Sequence, residues 1–142
     1  NPLAYIWRLR LPFCSEPDPK NLISKLISYP AICDSPPNSL SNLGECVRAC
    51  VDTWANGLKR GIYNVVNPGA LTNREIVGMI QAILNPKRDY DRWVECRHGF
   101  SIAPRANCVL SSKKILDAGI KLHPAREAME AAIANYGVGL TI

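Results

Sequence analysis

Few residues of this chain are placed to do chemistry, and those that are suit binding better than bond-breaking. The loop Ala103-Pro104-Arg105-Ala106-Asn107 holds an arginine in a Pro-containing stretch. A guanidinium offers two parallel N–H groups, the geometry that grips a phosphate. Asn107 adds an amide two residues on. On residue type alone, a solvated loop arginine is the more economical reading of Arg105. Asn21 opens an amphipathic stretch, where its amide and the free N–H groups of a helix start suit an anion. The plain alternative is a polar first-turn residue. His98 and His123 are isolated, and His123 before Pro124 reads as a helix-start residue rather than a base.

Absent motifs narrow the chemistry further. There is no G-x-G-x-x-G and no G-x-x-x-x-G-K-[ST], so neither common phosphate-cradling turn is present. There is no G-x-S-x-G, and none of the five tyrosines has a lysine four residues later. The six cysteines include no C-x-x-C. Cys96-Arg97-His98 has no second Cys/His cluster to complete four metal ligands. The expectation is six reduced thiols in a cytoplasmic protein, with Cys46 and Cys50 as small core hydrophobes on one helix face. No catalytic constellation and no metal site is expected in this chain.

The elements that must position these residues are best specified between Gly61 and Leu84. Gly61 to Asn67 is β-branched and aromatic, which suits a buried strand, and Pro68-Gly69 breaks it. Thr72 with Glu75 forms a capping box, and Ile76, Met79, Ile80, Ile83 and Leu84 follow at helical spacing. Before this unit, Tyr5–Leu11 alternates as a strand, with Tyr5, Trp7, Leu9 and Leu11 on one face and Ile6, Arg8 and Arg10 on the other. Asp18-Pro19 predicts the start of a helix that buries Leu22, Ile23, Leu26 and Ile27 and ends at Tyr29-Pro30. Ser41 or Asn42 caps a helix with Leu43, Cys46, Val47, Cys50, Val51 and Trp54 as its apolar face. Short strands are expected at Ala31–Asp34 and Arg92–Cys96. Ser111-Ser112 caps a brief helix over Lys113–Ala118, and Pro124 opens a last one with Ala125, Ala128, Met129, Ala132, Ile133 and Tyr136 facing inward. Strands alternating with amphipathic helices give an α/β class.

Composition excludes several functions. The 142 residues are 47% apolar and 20% charged, which fits one modest globular domain. The net charge of +5 is scattered, with no basic run of five, so no nucleic-acid arm is expected. No apolar run approaches the ~18–20 residues that span a bilayer. The chain opens on Asn1-Pro2 without Met and runs almost at once into a strand, as a piece of a longer or processed protein would.

Five segments in order carry a resemblance. They are Arg10-Leu-Pro-Phe13 after a strand, Pro19-Lys-Asn-Leu-Ile-Ser-Lys-Leu26, the helix over Leu43–Trp54, Gly61-Ile-Tyr-Asn-Val-Val-Asn-Pro-Gly69 with Thr72-Asn-Arg-Glu-Ile76, and Ala103-Pro-Arg-Ala-Asn-Cys-Val-Leu-Ser-Ser-Lys-Lys-Ile115. Together, from about Leu3 to Tyr136, they resemble the C-terminal, substrate-binding half of extended short-chain dehydrogenases acting on nucleotide sugars. The nearest branch is the dTDP-4-dehydrorhamnose reductases and nucleotide-rhamnose epimerase/reductases of the NAD-dependent epimerase/dehydratase family.

The resemblance implies a division of labour. In that family an N-terminal Rossmann half holds NAD or NADP on a Gly-rich turn, and a Tyr-x-x-x-Lys pair does the proton and hydride chemistry. Both would lie upstream of Asn1. Residues 1–14 would be a Rossmann-sheet strand and pocket loop, 15–137 the mixed α/β substrate-binding portion, and 138–142 a tail. Asn21 would touch the nucleotide diphosphate, Arg105 would pair with phosphate, Asn107 would support that pocket, and Pro12 and Phe13 would lie near the cofactor. The expected function is the nucleotide-sugar-binding half of a reductase, epimerase or dehydratase, inactive alone and binding no cofactor by itself. The alternative is a non-catalytic binding or interaction module on the same scaffold. Its sheet would keep an open strand edge and pair with the missing half or another copy.

Overall fold

A computed structural model describes residues 3–85, 89, 92–94 and 107–138. The described elements are β1 (Tyr5–Arg8), β2 (Pro12–Phe13), α1 (Leu22–Ser28), β3 (Ile32–Cys33), β4 (Ser41–Asn42), α2 (Leu43–Ala55), β5 (Gly61–Asn64), α3 (Asn73–Leu84), β6 (Trp93–Val94), α4 (Lys113–Asp117) and α5 (Ala125–Ala134). The class is mixed α/β, as the sequence indicates. Among the described residues the strands pair in parallel, β1 with β5, β2 with β4, and β3 with β6, and one isolated antiparallel bridge joins Asn38 to Leu71.

Two apolar cores hold these elements. The larger collects Ile23 and Leu26 of α1, Ile76 and Ile80 of α3, and Met129 and Ile133 of α5 around Phe13. The smaller packs Cys46 and Ala49 of α2 and Ile115 of α4 on Tyr63 and Val65. Local chemistry sets the helix ends. Thr72 and Glu75 form both arms of the capping box, at 3.1 Å and 2.8 Å, so two otherwise orphan N–H groups are satisfied. The five aliphatic positions expected to face inward on α5 are all buried, and Tyr136 beyond them donates to or accepts from Ser24 Oγ at 2.7 Å.

Several expectations are corrected. The first strand ends at Arg8, not Leu11. Leu11 has φ 40°, and the chain there changes partner from β5 to β4. The first helix starts at Leu22 with Asn21 as its cap, because Asp18 closes a tight turn of its own by accepting from Lys20 N–H at 2.7 Å. On α2 the apolar face divides: Cys46, Ala49 and Thr53 are buried, while Leu43, Val47, Val51 and Trp54 are exposed. Ile83 and Leu84 of α3 are also exposed. Cys33 is disulfide-bonded, against the expectation of six reduced thiols, whereas Cys14, Cys46, Cys50 and Cys108 are free. No helix among the described residues is long and apolar enough to cross a membrane.

Candidate functional site

Two residues before β2 lies Arg10. Its backbone N–H donates to Ser41 Oγ at 3.1 Å, and its Nη2 donates to Asn38 Oδ1 at 3.0 Å. Asn38 is 5% exposed and acts as a junction. Its Oδ1 also accepts from Cys108 N–H at 3.2 Å, and its Nδ2 donates to Pro36 O at 2.8 Å. Ser39 continues the contact: its Oγ accepts from Leu110 N–H at 2.8 Å, and its N–H donates to Cys108 O at 3.0 Å. The segment that begins at Asn107 is thus laced along Asn38-Ser39 and brought beside Arg10. Asn107 itself is exposed. Arg105 lies outside the described residues.

Arg10 is the residue here that sequence reasoning passed over. Its Nε is buried without an acceptor, and no carboxylate pairs with it among the described residues. A half-buried guanidinium held by one neutral amide keeps its charge uncompensated, which an anion would complete. The available signal was two arginines on one strand face, which places them at a sheet end or over a polar cleft.

Beyond the carboxyl ends of β2 and β4 lies the second group. An open cleft of about 670 Å³ is lined by Cys14, Ser15 and Glu16, by Asn42 and Gly44 at the start of α2, and by Asn135. Open parallel sheets bind ligands beyond their carboxyl ends. Asn21 shapes one wall of this cleft. Its Oδ1 caps α1 by accepting from Ile23 N–H at 3.1 Å, and its Nδ2 donates to Cys14 O and Glu16 O, both at 2.8 Å. Both amide hydrogens are therefore engaged within the chain. Phe13 is wholly buried and Pro12 is half-buried, so Phe13 can shape a pocket only through its backbone.

A third cluster, also unforeseen, joins the first turn of α2 to the segments that follow β5 and precede α5. His123 Nδ1 lies 2.6 Å from Glu45 Oε1, and Glu45 Oε2 accepts from His123 N–H at 3.1 Å and from Asn67 Nδ2 at 2.8 Å. Asn67 also donates to His123 O at 3.0 Å and accepts from Asn42 N–H at 2.7 Å. Glu45 sits in the first turn of α2, where its charge also suits the helix dipole. This carboxylate–imidazole pair has the form of an acid–base dyad. Among the described residues no nucleophile is bonded to it, so it acts as a clasp. Its signal was an acidic residue three positions after a cap, and a His–Pro before a helix.

Two thiols on α2 are held as weak nucleophiles by their surroundings. Burial pushes the Cys50 thiol up to about 11, helped by the neighbouring Cys46, and burial raises Cys46 too. Among the described residues no three His, Cys, Asp or Glu side chains gather as a metal site. Nor do the residues present fit a dinucleotide: no Gly-rich strand-to-helix turn exists in the sequence, and Phe13 is buried.

Comparison with known proteins returns no matching family model. Protein L780 of Acanthamoeba polyphaga mimivirus is 31% identical over 109 residues, covering 76% of this chain and 37% of that protein. A bifunctional dTDP-4-dehydrorhamnose 3,5-epimerase/dTDP-4-dehydrorhamnose reductase of Arabidopsis thaliana is 31% identical over 110 residues, covering 76% of this chain and 36% of that protein. The crystal structure of L780, a UDP-rhamnose synthase, superposes with a TM-score of 0.82 at 25% identity, over 92% of this chain and 45% of that one. A dTDP-4-dehydrorhamnose reductase from Bacillus anthracis, in complex with NADP, gives 0.72 at 14% identity over 95% and 48%, and so shares the fold. The chain spans little more than a third of the length of these two curated relatives.

Proposed function

We propose, from the premise that this chain is a homologue of the UDP-rhamnose synthases and dTDP-4-dehydrorhamnose reductases of the NAD-dependent epimerase/reductase family, that it is the nucleotide-sugar-binding half of such an enzyme. The observation that carries the reading is the coincidence of 31% sequence identity with a TM-score of 0.82 against one protein. Coverage of under half of that solved chain fits the C-terminal half.

Within this reading, Arg105 and Asn107 meet the diphosphate of a UDP- or dTDP-sugar, and Arg10 supplies a second cation to the same anion. What supports Arg10 is its uncompensated charge and its link through Asn38 to the segment that starts at Asn107. Asn21 serves the site by fixing the loop 14–16 that lines the cleft. Pro12 and Phe13 set the path of the chain between the two groups. NAD or NADP is held by the complementary half, where the Gly-rich turn and the Tyr-x-x-x-Lys pair of the family would lie. This chain alone performs no hydride transfer.

Titration calorimetry with UDP-glucose and dTDP-glucose tests the reading, alongside NAD(P)H oxidation followed at its absorbance maximum. The expected result is nucleotide-sugar binding that weakens in Arg10→Ala and Arg105→Ala, with no turnover by the chain itself. Turnover by the isolated chain, or affinity unchanged in both variants, would refute it. A non-catalytic module on the same scaffold predicts no affinity for either sugar nucleotide.

A further inference from the structure

Between α3 and α5 the fold leaves an open groove of about 760 Å³. Small residues line it: Gly78 and Ala82, one turn apart on α3, and Ala131 and Ala134 on α5. Ile83, 41% exposed, adds a large apolar side chain on the α3 side. From Glu75 to Ile83 the groove follows α3 for about 12 Å, a little over two helical turns. Ala131 also lines the cleft beyond β2 and β4, so α5 is a wall that groove and cleft share.

Gly78 has no role in the chain's own packing. It stands in the middle of α3, and a Cβ added there would meet nothing within 4 Å. It is not among the glycines with positive φ, so the backbone does not require it. A glycine inside a helix lowers helix stability relative to alanine. What the missing side chain leaves is room for another backbone to come close.

The charge around the groove is also unsettled. Glu127 and Glu130 line its α5 side, three residues apart and so neighbours on one helix face, where like charges repel. Neither has an ion-pair partner among the described residues, whereas Glu75 on the α3 side is paired with Arg126 at 2.8 Å. Three carboxylates against one guanidinium make the groove acidic, on a chain whose net charge is +5.

We infer that this groove receives an α-helix of a partner protein, apolar along the side that enters and cationic along its flanks. A helix laid in a groove anchors through residues at i, i+4 and i+7, and small residues beneath it let the axes approach to about 8 Å. Lysines or arginines on its flank then reach Glu127 and Glu130. Other occupants fit less well. A second copy of the chain, docked face to face, would bring four unpaired carboxylates together. A small polar ligand would need polar groups aimed inward, and no lining residue carries a buried polar atom left unbonded.

The test titrates the chain against a synthetic helical peptide of about 16 residues, with leucines on one face and lysines on both flanks, and follows the fluorescence anisotropy of the peptide. Saturable binding is expected, and it should fall by about tenfold or more in Gly78→Leu and in Glu127→Lys. Asp52→Lys, an equal change of charge on α2, should leave it within about twofold. The same peptide with glutamates in place of its lysines should not bind. Gly78→Ala should raise the thermal midpoint of the free chain, since the fold makes no use of the glycine. Absence of binding by the lysine peptide, equal binding of the glutamate peptide, or affinity unchanged in both Gly78→Leu and Glu127→Lys would each overturn the inference. So would a homodimer in sedimentation that Gly78→Leu dissolves, which would assign the groove to a second copy.

Discussion

Replacing Asn21 by alanine separates a structural role for this residue from a ligand role. The side chain is 5% exposed, accepts from the Ile23 N–H and donates to the carbonyls of Cys14 and Glu16, with longer contacts of 3.5 Å to the Cys14 N–H and Sγ. Alanine removes a helix cap, a loss of about 1 kcal/mol. It also leaves two part-buried carbonyls without donors, each costing about 0.5–1 kcal/mol after partial rescue by water. The sum is about 2–3 kcal/mol, which in a domain of this size lowers Tm by roughly 8–12 °C. Asn21→Ser keeps the cap but not the two donors, so it should regain about 1 kcal/mol of that loss. Differential scanning calorimetry on the three proteins measures both steps. A Tm for Asn21→Ala within 2 °C of the parent, with serine and alanine indistinguishable, would refute the account and leave the amide free for a ligand. A large fall in Tm with an unchanged serine-to-alanine gap confines the role to the cap and the loop tether.

Four further outcomes follow from the same geometry. Arg105→Ala, in the enzyme completed by its other half, should weaken nucleotide-sugar binding by about 1–3 kcal/mol, the usual worth of a charge-assisted contact, as read by calorimetry. Thr72→Ala removes the hydroxyl that accepts from the Glu75 N–H, leaves the backbone arm of the capping box in place, and should destabilise the chain by about 1 kcal/mol in urea titrations. The backbone hydrogen bond from Thr72 first, and Arg126 less, hold the Glu75 carboxyl below its usual value. The stability this gives is therefore complete above the unfolded carboxylate pKa and is lost as pH falls through the lower folded value, so urea midpoints of Glu75→Gln and parent should converge in acid. Glu45→Ala leaves the His123 N–H without its acceptor and Asn67 Nδ2 with one acceptor in place of two, and should cost about 2–3 kcal/mol in urea titrations, more than His123→Ala, which keeps the carboxylate bonded to Asn67.

Local signals were legible where they were short and self-contained. The capping box of α3 needs only Thr72 and Glu75, three residues apart, and it formed as read. The α5 face also held, because Ala128, Met129, Ala132 and Ile133 all find cover inside this chain. The pattern on α2 was read correctly as apolar and wrongly as one buried face, since periodicity records what a helix needs and not who supplies it. The end of β1 could not be read from alternation, because Leu11 fits the pattern while the change of partner from β5 to β4 is a tertiary event. The Glu45–His123 clasp was hidden for a related reason: its partners are far apart in sequence and each has a sufficient local explanation. Asn21 was chosen for its position at a helix start, and its cap is that position made explicit. Its two loop bonds depend on the return of residues 14–16, which no spacing rule reports. Arg105 lies outside the described residues, so the clearest sequence candidate rests on the resemblance and on the anchoring of its neighbour segment at Asn38.

The parallel pairing of all three sheets also governs when the chain can fold. Tyr5 pairs with Gly61, Pro12 with Ser41 and Ile32 with Trp93, so no described strand closes a hairpin with its neighbour. During synthesis, β1 gains its partner β5 only after residues past Asn64 have cleared the ribosome. Long-range pairings of this kind are slow to form, because loop closure precedes any gain from contact. The helices, whose hydrogen bonds are local, are then the elements able to form first, and the strands assemble on them. The same delay holds each described strand apart from its described partner while the chain is being made.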